Sequence, residues 1–236
     1  MRSIAGEAVV DASRAAGPER VPVAGLPGEG LRIGVLAMQG AFAEHRRILE
    51  RLGASVVEVR LPRDLVGLDG IVIPGGESTT IGKLLVAWDV LEPLRAAIAG
   101  GLPTWGTCAG AILMAREVAD SLPGQPLLGV MDIAVRRNAF GRQVQSFETA
   151  IPVDGIEGEP FPAMFIRAPK IESVGPGADV VASLDDGTIV AARQGAWLAT
   201  SFHPELTGDA RFHAWFLTIA DRKSTRLNSS HSQQSR

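Results

Sequence analysis

The chain has few of the features that mark several protein classes, beginning with cysteine. Its 236 residues include one cysteine, Cys108, which excludes an intramolecular disulfide framework and a zinc site built from CxxC pairs. No apolar run approaches the ~20 residues that cross a bilayer. The net charge of −3 comes from interspersed acidic and basic residues, which indicates neither a nucleic-acid stripe nor a membrane-binding face. We therefore expect a cytoplasmic protein with no nucleic-acid or membrane partner.

Both ends of the chain lack sustained apolar periodicity. Residues 1–30 are rich in Gly, Pro, Ala and charged residues, and they resemble neither a secretory signal nor a transit peptide. Residues 221–236, DRKSTRLNSSHSQQSR, read like the in-frame translation of a sequencing adapter. We predict a disordered extension over 1–30, one folded domain over 31–220, and a non-native or disordered tail over 221–236.

The middle of the chain alternates predicted strands and helices, and predicted strands dominate after residue 131. This order predicts an α/β fold: a three-layer α/β/α sandwich with a mostly parallel central sheet and a late antiparallel extension. The dipeptide Asp186-Gly187 predicts a hairpin turn in that extension. The predicted helices cover 41–53, 81–101 with an interruption at Pro93, 109–119 and 209–220. The predicted strands before residue 131 cover 31–37, 55–60, 70–74 and the segment LPTWGT that leads to Cys108.

Cys108 lies in GTCAG, which has the G-x-nucleophile-x-G form of a strand-to-helix elbow. A turn this sharp leaves no room for neighbouring side chains, which explains Gly106 and Gly110. The helix that begins there points free N–H groups and the positive end of its dipole at the sulfur, and both favour the thiolate. We interpret Cys108 as a candidate nucleophile. The alternative is a small buried thiol at the start of a core helix.

The segment SFHPEL supplies a candidate base for this thiol. In an extended segment His203 and Glu205 face the same way, so the carboxylate can hold the imidazole's tautomer while the other ring nitrogen serves the cysteine. A lone surface His-x-Glu pair is a common alternative. The pair is much less common when it follows a cysteine elbow in an α/β chain.

The segment PGGESTT follows the third predicted strand at its carboxyl end, where open α/β sheets bind ligands. Its glycines allow the backbone to approach a ligand, which suits an oxyanion hole. We predict Gly76 and Ala109 as the donors of that oxyanion hole. The segment lacks the spacing and the lysine of a P-loop. The alternative is a plain strand-to-helix turn with Ser78 or Thr79 as the N-cap.

Six motifs in fixed order resemble the glutaminase-subunit family of pyridoxal 5′-phosphate synthase, a branch of the triad (class I) glutamine amidotransferases. They are GVLAMQGAFAEH, PGGESTT, GTCAG, RNAFGRQVQSFE, FIRAP and SFHPELT. The cysteine elbow and the His-x-Glu pair are shared across the amidotransferase class. The motifs GGEST, RNAFGRQ and FIRAP are more specific to this branch. The resemblance covers residues 31–220.

The resemblance implies a function and a set of site residues. Cys108, His203 and Glu205 would form a catalytic triad that hydrolyses L-glutamine through a glutamyl thioester, without a metal or organic cofactor. The ammonia would pass to a synthase subunit that makes pyridoxal 5′-phosphate, and that partner would stimulate a weak activity. The arginines suit the α-carboxylate of glutamine, although each could instead be solvated. The implied glutamine contacts are Gly76, Glu77, Ser78, Arg137, Ile166 and Arg167.

Three alternatives stay open from the sequence. A Cys-His peptidase and another amidotransferase of similar fold are the rivals among enzymes. A catalytically silent domain that binds a synthase is the rival outside them, and the intact triad residues weigh against it. His45, His213 and His231 show no partner pattern, so we predict that they lie at the surface or in the tail.

Overall fold

Strands and helices alternate through the first half of the described chain, and strands dominate the second half. The computed structural model describes residues 25–137 and 146–233, with the backbone alone described beyond 222. The described α-helices are α1 (Phe42–Arg51), α2 (Ser78–Ala87), α3 (Leu91–Ala99), α4 (Ala109–Met114) and α5 (Arg211–Gln233). The described strands are β1 (Arg32–Leu36), β2 (Ser55–Val59), β3 (Gly70–Ile73), β4 (Thr104–Thr107), β5 (Ala115–Ala119), β6 (Met131–Arg136), β7 (Ser146–Ile151), β8 (Phe161–Ile166), β9 (Lys170–Val174), β10 (Asp179–Ser183), β11 (Ile189–Gln194) and β12 (Trp197–Thr200).

The central sheet has the predicted mixed character. Its strand order is β2-β1-β3-β4-β12-β11-β9-β6-β5, with β10 paired to β11. The neighbours from β2 to β12 are all parallel, whereas β11 is antiparallel to β12, β10 and β9. A separate antiparallel pair joins β7 to β8. The α/β fold with a mostly parallel sheet and a late antiparallel extension is confirmed, and β10 and β11 flank the predicted Asp186-Gly187 turn.

Helices cover both faces of this sheet because its strands are apolar on both sides. Along β3, Val72 packs in one buried cluster, while Ile71 and Ile73 pack in the other. The first cluster includes Leu49 of α1 and residues of α5, and the second includes residues of α2, α3 and α4. The three-layer arrangement therefore follows from the alternation of side chains along each buried strand.

Two predicted helices have different bounds in the structure. The predicted helix over 81–101 is two helices, and the break lies at Asp89 (φ 56°), not at Pro93. Pro93 is the third residue of α3, where a backbone N–H would have no intrahelical acceptor, so proline is tolerated there. The predicted helix over 109–119 ends at Met114, because the next residues pair as β5 with β6. Tertiary pairing outweighs helix propensity in that segment.

The predicted disordered extension is wrong for its last residues. Residues 25–30 lie against the end of α1: Gly28 N donates to Leu52 O over 2.9 Å, and a Cβ on Gly53 would lie 2.9 Å from Leu26 Cβ. This turn is held by backbone hydrogen bonds that composition does not reveal. Residues 1–24, the rest of the predicted extension, lie outside the described residues.

The closing helix is longer than the predicted 209–220. It continues to Gln233, so residues 221–233 extend α5 beyond its predicted end. Phe212 and Phe216 anchor the first turns of α5 in the core, and each residue added to an established helix forms another hydrogen bond at little cost. The non-native origin of the tail stays a prediction, and residues 234–236 lie outside the described residues.

Candidate active site

The candidate site lies where three neighbouring parallel strands end. In the sheet β3 pairs with β4, with Ile73 opposite Gly106, and β4 pairs with β12, with Thr107 opposite Thr200. The segments that leave these strands carry PGGES, Cys108 and SFHPEL. Their carboxyl ends meet at one edge, which is where open α/β sheets bind ligands. Sheet register thus brings together motifs that are far apart in sequence.

Cys108 stands on a strained elbow between β4 and α4. Its backbone has φ 48° and ψ −103°, and the residue is 7% exposed. A residue with a side chain adopts positive φ only when its surroundings enforce it, at a cost of about 1–3 kcal/mol. The predicted steric role of both glycines is confirmed. A Cβ on Gly106 would lie 2.6 Å from the carbonyl carbon of Gly110, and a Cβ on Gly110 would lie 2.0 Å from Ile73 O.

This crowding predicts a large stability effect at Gly110. We expect Gly110→Ala to lower the free energy of unfolding by about 3 kcal/mol, because the added methyl group meets a strand carbonyl that cannot move independently. Gly208→Ala is the matched control, since a Cβ there would meet no atom within 4 Å. Chemical denaturation of both variants measures the difference. Equal midpoints for the two variants would contradict the packing that we describe for the elbow.

His203 and Glu205 form a buried pair beside the elbow. His203 Nδ1 lies 2.7 Å from Glu205 Oε1, and the two residues are 8% and 5% exposed. The predicted extended conformation is wrong, because Pro204–Leu206 forms a 3-10 turn and the pair meets through that turn. His203 N donates to Met164 O over 2.8 Å, which ties the segment to β8. A Cβ on Gly75 would lie 2.4 Å from His203 Cε1, so only glycine leaves room for this ring.

Electrostatics favour the charged forms of both partners. Burial alone would lower the pKa of His203, but hydrogen bonds to Cys108 and Glu205 outweigh burial and raise this pKa to about 10. Burial alone would raise the pKa of Glu205, but His45 and His203 hold it well below its ordinary value. Both shifts favour an imidazolium against a carboxylate near neutral pH, with the sulfur of Cys108 beside the same ring.

A cavity of about 350 Å³ opens in front of these groups. Every predicted glutamine contact lies in its wall, and so do the sulfur-bearing Cys108 and the ring of His203. Glu205 is buried behind His203, and Ala109 is buried at the start of α4. Gln39, which belongs to the motif GVLAMQGAFAEH, and Ile112 also line the cavity, and neither was predicted as a site residue. The lining residues are Gln39, Gly76, Glu77, Ser78, Cys108, Ile112, Arg137, Ile166, Arg167 and His203.

Arg137 is fixed by polar contacts before any ligand is present. Its NH1 donates to Gln125 Oε1 over 2.9 Å and its NH2 to Glu77 Oε1 over 3.2 Å. Gln125 Nε2 donates in turn to Ser78 Oγ over 3.2 Å. Gln125 lies in a loop without a recognisable motif, so the sequence did not indicate it. Residues 138–145 of the predicted RNAFGRQVQSFE motif lie outside the described residues.

Glu77 also has a structural role, as the N-cap of α2. Its side chain accepts hydrogen bonds from Thr79 N over 3.1 Å and Thr80 N over 2.6 Å. The alternative N-caps from the sequence, Ser78 and Thr79, are therefore wrong. Burial tends to raise the pKa of Glu77, but hydrogen bonds from Thr80 and Thr79 lower it below its ordinary value. A charged carboxylate thus stands at the cavity wall, beside Arg137.

Comparison with known proteins gives a family for this fold and site. The SNO glutamine amidotransferase family matches residues 35–221, which is more than half of the chain. The chain belongs to the SNO glutamine amidotransferase family. Among its relatives, the pyridoxal 5′-phosphate synthase subunit PdxT of Herpetosiphon aurantiacus is 61% identical over 190 residues, which cover 80% of this chain and 100% of that protein. The PdxT subunit of Parafrankia sp. is 60% identical over 188 residues, covering 80% of this chain and 92% of that protein.

A solved structure agrees with the fold. The crystal structure of a glutamine amidotransferase superposes with a TM-score of 0.76 at 48% identity, covering 80% of this chain and 98% of the other. Among the described residues no helix is both long and apolar enough to cross a membrane.

Two histidines of this amidotransferase lie where the sequence did not predict them. His45 and His213 are fully buried, so their predicted surface positions are wrong. His45 lies on the inner face of α1 with Ile48 and Leu49, and this helical spacing was a usable sign of burial. His213 lies on α5, beside Phe212. The side chain of His231 is outside the described residues.

Proposed function

We propose that this chain hydrolyses L-glutamine to L-glutamate and ammonia, with Cys108, His203 and Glu205 as its catalytic residues. One observation carries the proposal. In a chain of a glutamine amidotransferase family, a strained cysteine elbow and a buried His–Glu pair adjoin the same cavity. The cavity wall combines cationic and anionic side chains, which suits a zwitterionic amino acid. No step of this reaction requires a metal or an organic cofactor.

The proposed reaction has two halves. The thiolate of Cys108 attacks the side-chain amide carbon, and the backbone N–H groups of Gly76 and Ala109 stabilise the oxyanion. The His203 imidazolium gives its proton to the departing ammonia and so becomes a neutral base. It then takes a proton from water, which attacks the γ-glutamyl thioester and releases glutamate and the thiolate. Glu205 holds the imidazole's orientation and stabilises its cation throughout.

Recognition of free glutamine is assigned to the other lining residues. We propose that the guanidinium groups of Arg137 and Arg167 bind the α-carboxylate of glutamine and that the Glu77 carboxylate binds its α-ammonium group. Each of these contacts joins groups of opposite charge. Gly76, Ser78 and Ile166 complete the contacts. Arg137 is already held by Gln125 and Glu77, so little side-chain entropy is lost when it binds.

This assignment predicts a binding defect for Arg137→Ala. We expect KM for glutamine to rise roughly 10–100-fold while kcat changes little, because hydrogen bonds to charged groups contribute about 1.5–3 kcal/mol and this one acts in the ground state. Arg116→Ala is the control, because Arg116 lies on β5 and pairs with Asp132, away from the cavity. Steady-state kinetics measure both variants. A fall in kcat at unchanged KM would contradict the recognition role of Arg137.

The ammonia is proposed to serve a synthase subunit that makes pyridoxal 5′-phosphate. The relatives are subunits of pyridoxal 5′-phosphate synthase, and the motifs of this chain are all assigned to glutamine. The two chains would form a cytoplasmic hetero-oligomer, with ammonia passing between them. Free hydrolysis would waste glutamine, so we also propose that docking near the PGGES segment aligns one oxyanion donor.

An assay with and without the partner tests this function. We expect glutamate and ammonia in equal amounts, with the rate rising roughly 10²–10³-fold in an excess of the synthase subunit, which is the usual effect of one oxyanion donor. Equal rates with and without the subunit would contradict the gating by the partner and leave the hydrolysis standing. Absence of glutamate in both conditions would contradict the glutaminase function itself.

A further inference from the structure

The structure places two fully buried histidines behind Glu205. One oxygen of that carboxylate, Oε1, contacts His203. The other, Oε2, is buried without a hydrogen-bond partner and lies at an ion-pair distance of 3.3 Å from His45 Nε2. On the far side of His45, its Nδ1 lies 2.9 Å from His213 Nε2. The two histidines come from α1 and α5, which pack on the same face of the sheet. A row of polar groups thus runs from the cavity into the core.

We propose that His45 is a positioning residue: it directs its Nε2–H at Oε2 of Glu205, and His213 fixes the tautomer that makes this possible. The proposal rests on the proposed role of Glu205 beside His203. His45 touches neither the cavity nor Cys108, so it acts on the reaction through the carboxylate. Its role is to hold the Glu205 carboxylate in the orientation in which Oε1 accepts a hydrogen bond from His203 Nδ1.

Proton counting along the row selects one arrangement. A carboxylate can accept hydrogen bonds but cannot donate them, so His45 must carry its proton on Nε2 to bind Oε2. In a neutral His45 ring the Nδ1 is then bare and accepts, and His213 Nε2–H is the donor beside it. His213 Nδ1 is bare as a result, and this atom is buried without a hydrogen-bond partner. Burying an unprotonated ring nitrogen without a partner costs less free energy than burying an N–H group without an acceptor.

The opposite arrangement of protons leaves two buried polar groups in unfavourable contacts. If His45 carried its proton on Nδ1, it would donate to His213 Nε2, and His213 would hold a buried Nδ1–H with no acceptor. The bare Nε2 of His45 could then accept from the hydroxyl of Thr107, which lies 3.3 Å away, but its lone pair would face Oε2 of Glu205 at 3.3 Å with no proton between the two atoms. In the selected arrangement the Nε2–H has Thr107 Oγ1 as its hydrogen-bond acceptor, and Glu205 Oε2 lies 3.3 Å from the same nitrogen.

The charges of neighbouring groups support a neutral His213. Burial holds the pKa of His213 well below its ordinary value. A neutral ring keeps one bare nitrogen, as the proton count requires. The surroundings of the pair are aromatic: Trp105 meets His45 edge-on at 5.5 Å and His213 at 4.9 Å between ring centroids. These contacts limit ring rotation and favour one fixed orientation.

Two substitutions at position 45 separate hydrogen bonding from packing. His45→Phe fills the space of the ring without a donor, whereas His45→Gln can place an amide N–H near the position of Nε2. In the presence of the synthase subunit we expect His45→Phe to lower kcat roughly 10–100-fold, the usual effect of losing a group that orients a functional side chain. KM should stay within about two-fold, and His45→Gln should recover most of kcat. Full activity in folded His45→Phe, or equal losses in both folded variants, would overturn the proposal.

A direct reading of the tautomer tests the proposal even if the variants fail to fold. The chain has four histidines, so ¹⁵N–¹H correlation spectra of the full chain labelled at histidine can resolve each ring. His213→Leu and His203→Gln assist the assignment. We expect His45 to carry its proton on Nε2 and to be bare at Nδ1. A proton on Nδ1 with a bare Nε2 would overturn the proposal. This measurement needs no activity, so failure of the glutaminase function would be seen separately, in the ammonia assay.

Discussion

Cys108→Ala is expected to abolish glutamine hydrolysis, lowering kcat by at least roughly 10⁴-fold, because removal of a nucleophile leaves only binding and oxyanion stabilisation. Alanine keeps the Cβ and removes the sulfur, so the elbow at φ 48° should fold as before. Ammonia release in an excess of the synthase subunit measures the first effect, and thermal unfolding measures the second. Activity within ten-fold of the unaltered protein would show that Cys108 is not the nucleophile.

Cys108→Gly is the matched control for the strain at this position. Glycine adopts positive φ without a Cβ penalty, so this variant should be more stable than Cys108→Ala by about 1–3 kcal/mol and equally inactive. The pair of variants thus separates loss of the nucleophile from relief of the backbone. Equal stabilities would show that the elbow at Cys108 stores no strain.

Glu205→Gln is expected to lower kcat roughly 10²–10⁴-fold with little change in KM, by analogy with the loss of the orienting carboxylate in a Ser-His-Asp triad. The amide has the same shape but no charge, so it cannot stabilise the His203 imidazolium that the carboxylate faces at 2.7 Å. The pKa of His203 should fall in the variant, since Glu205 is one of the groups that raise it. Steady-state kinetics across the pH range measure both effects.

Glu92→Gln controls for the loss of an acidic residue elsewhere. Glu92 lies at the start of α3, where it is exposed and pairs with Arg95, far from the described cavity. Its replacement should leave kcat and KM unchanged. A rise in KM at constant kcat for Glu205→Gln would instead assign Glu205 to binding.

The motifs of the candidate site could be predicted because each reflects a local steric or chemical need. Gly106 and Gly110 face backbone atoms in a sharp turn, so the spacing around Cys108 indicates the elbow without knowledge of the fold. The alternating strands predicted the parallel sheet, and a parallel sheet brings its carboxyl ends to one edge. That reasoning placed PGGES at the ligand-binding edge, whereas SFHPEL was linked to Cys108 by the chemistry of its His-x-Glu pair.

The features that were missed depend on contacts between distant segments. β5 follows the helix-like AGAILM and forms because β6 offers a partner strand. The contact of His45 with His213 joins residues 168 apart in sequence. Gln125 likewise reaches Ser78 and Arg137 from a loop. No local sequence pattern indicates contacts between residues so far apart in the chain.

Active-site labelling tests the central claim most directly. The chain is incubated with a glutamine analogue that carries an electrophile in place of the side-chain amide, and the adduct is located by mass spectrometry of peptides. We expect one adduct, on the sulfur of Cys108, whose formation is slowed by glutamine and prevented in Cys108→Ala. An adduct on another residue, or ammonia release that continues after Cys108 is fully labelled, would show that Cys108 is not the nucleophile.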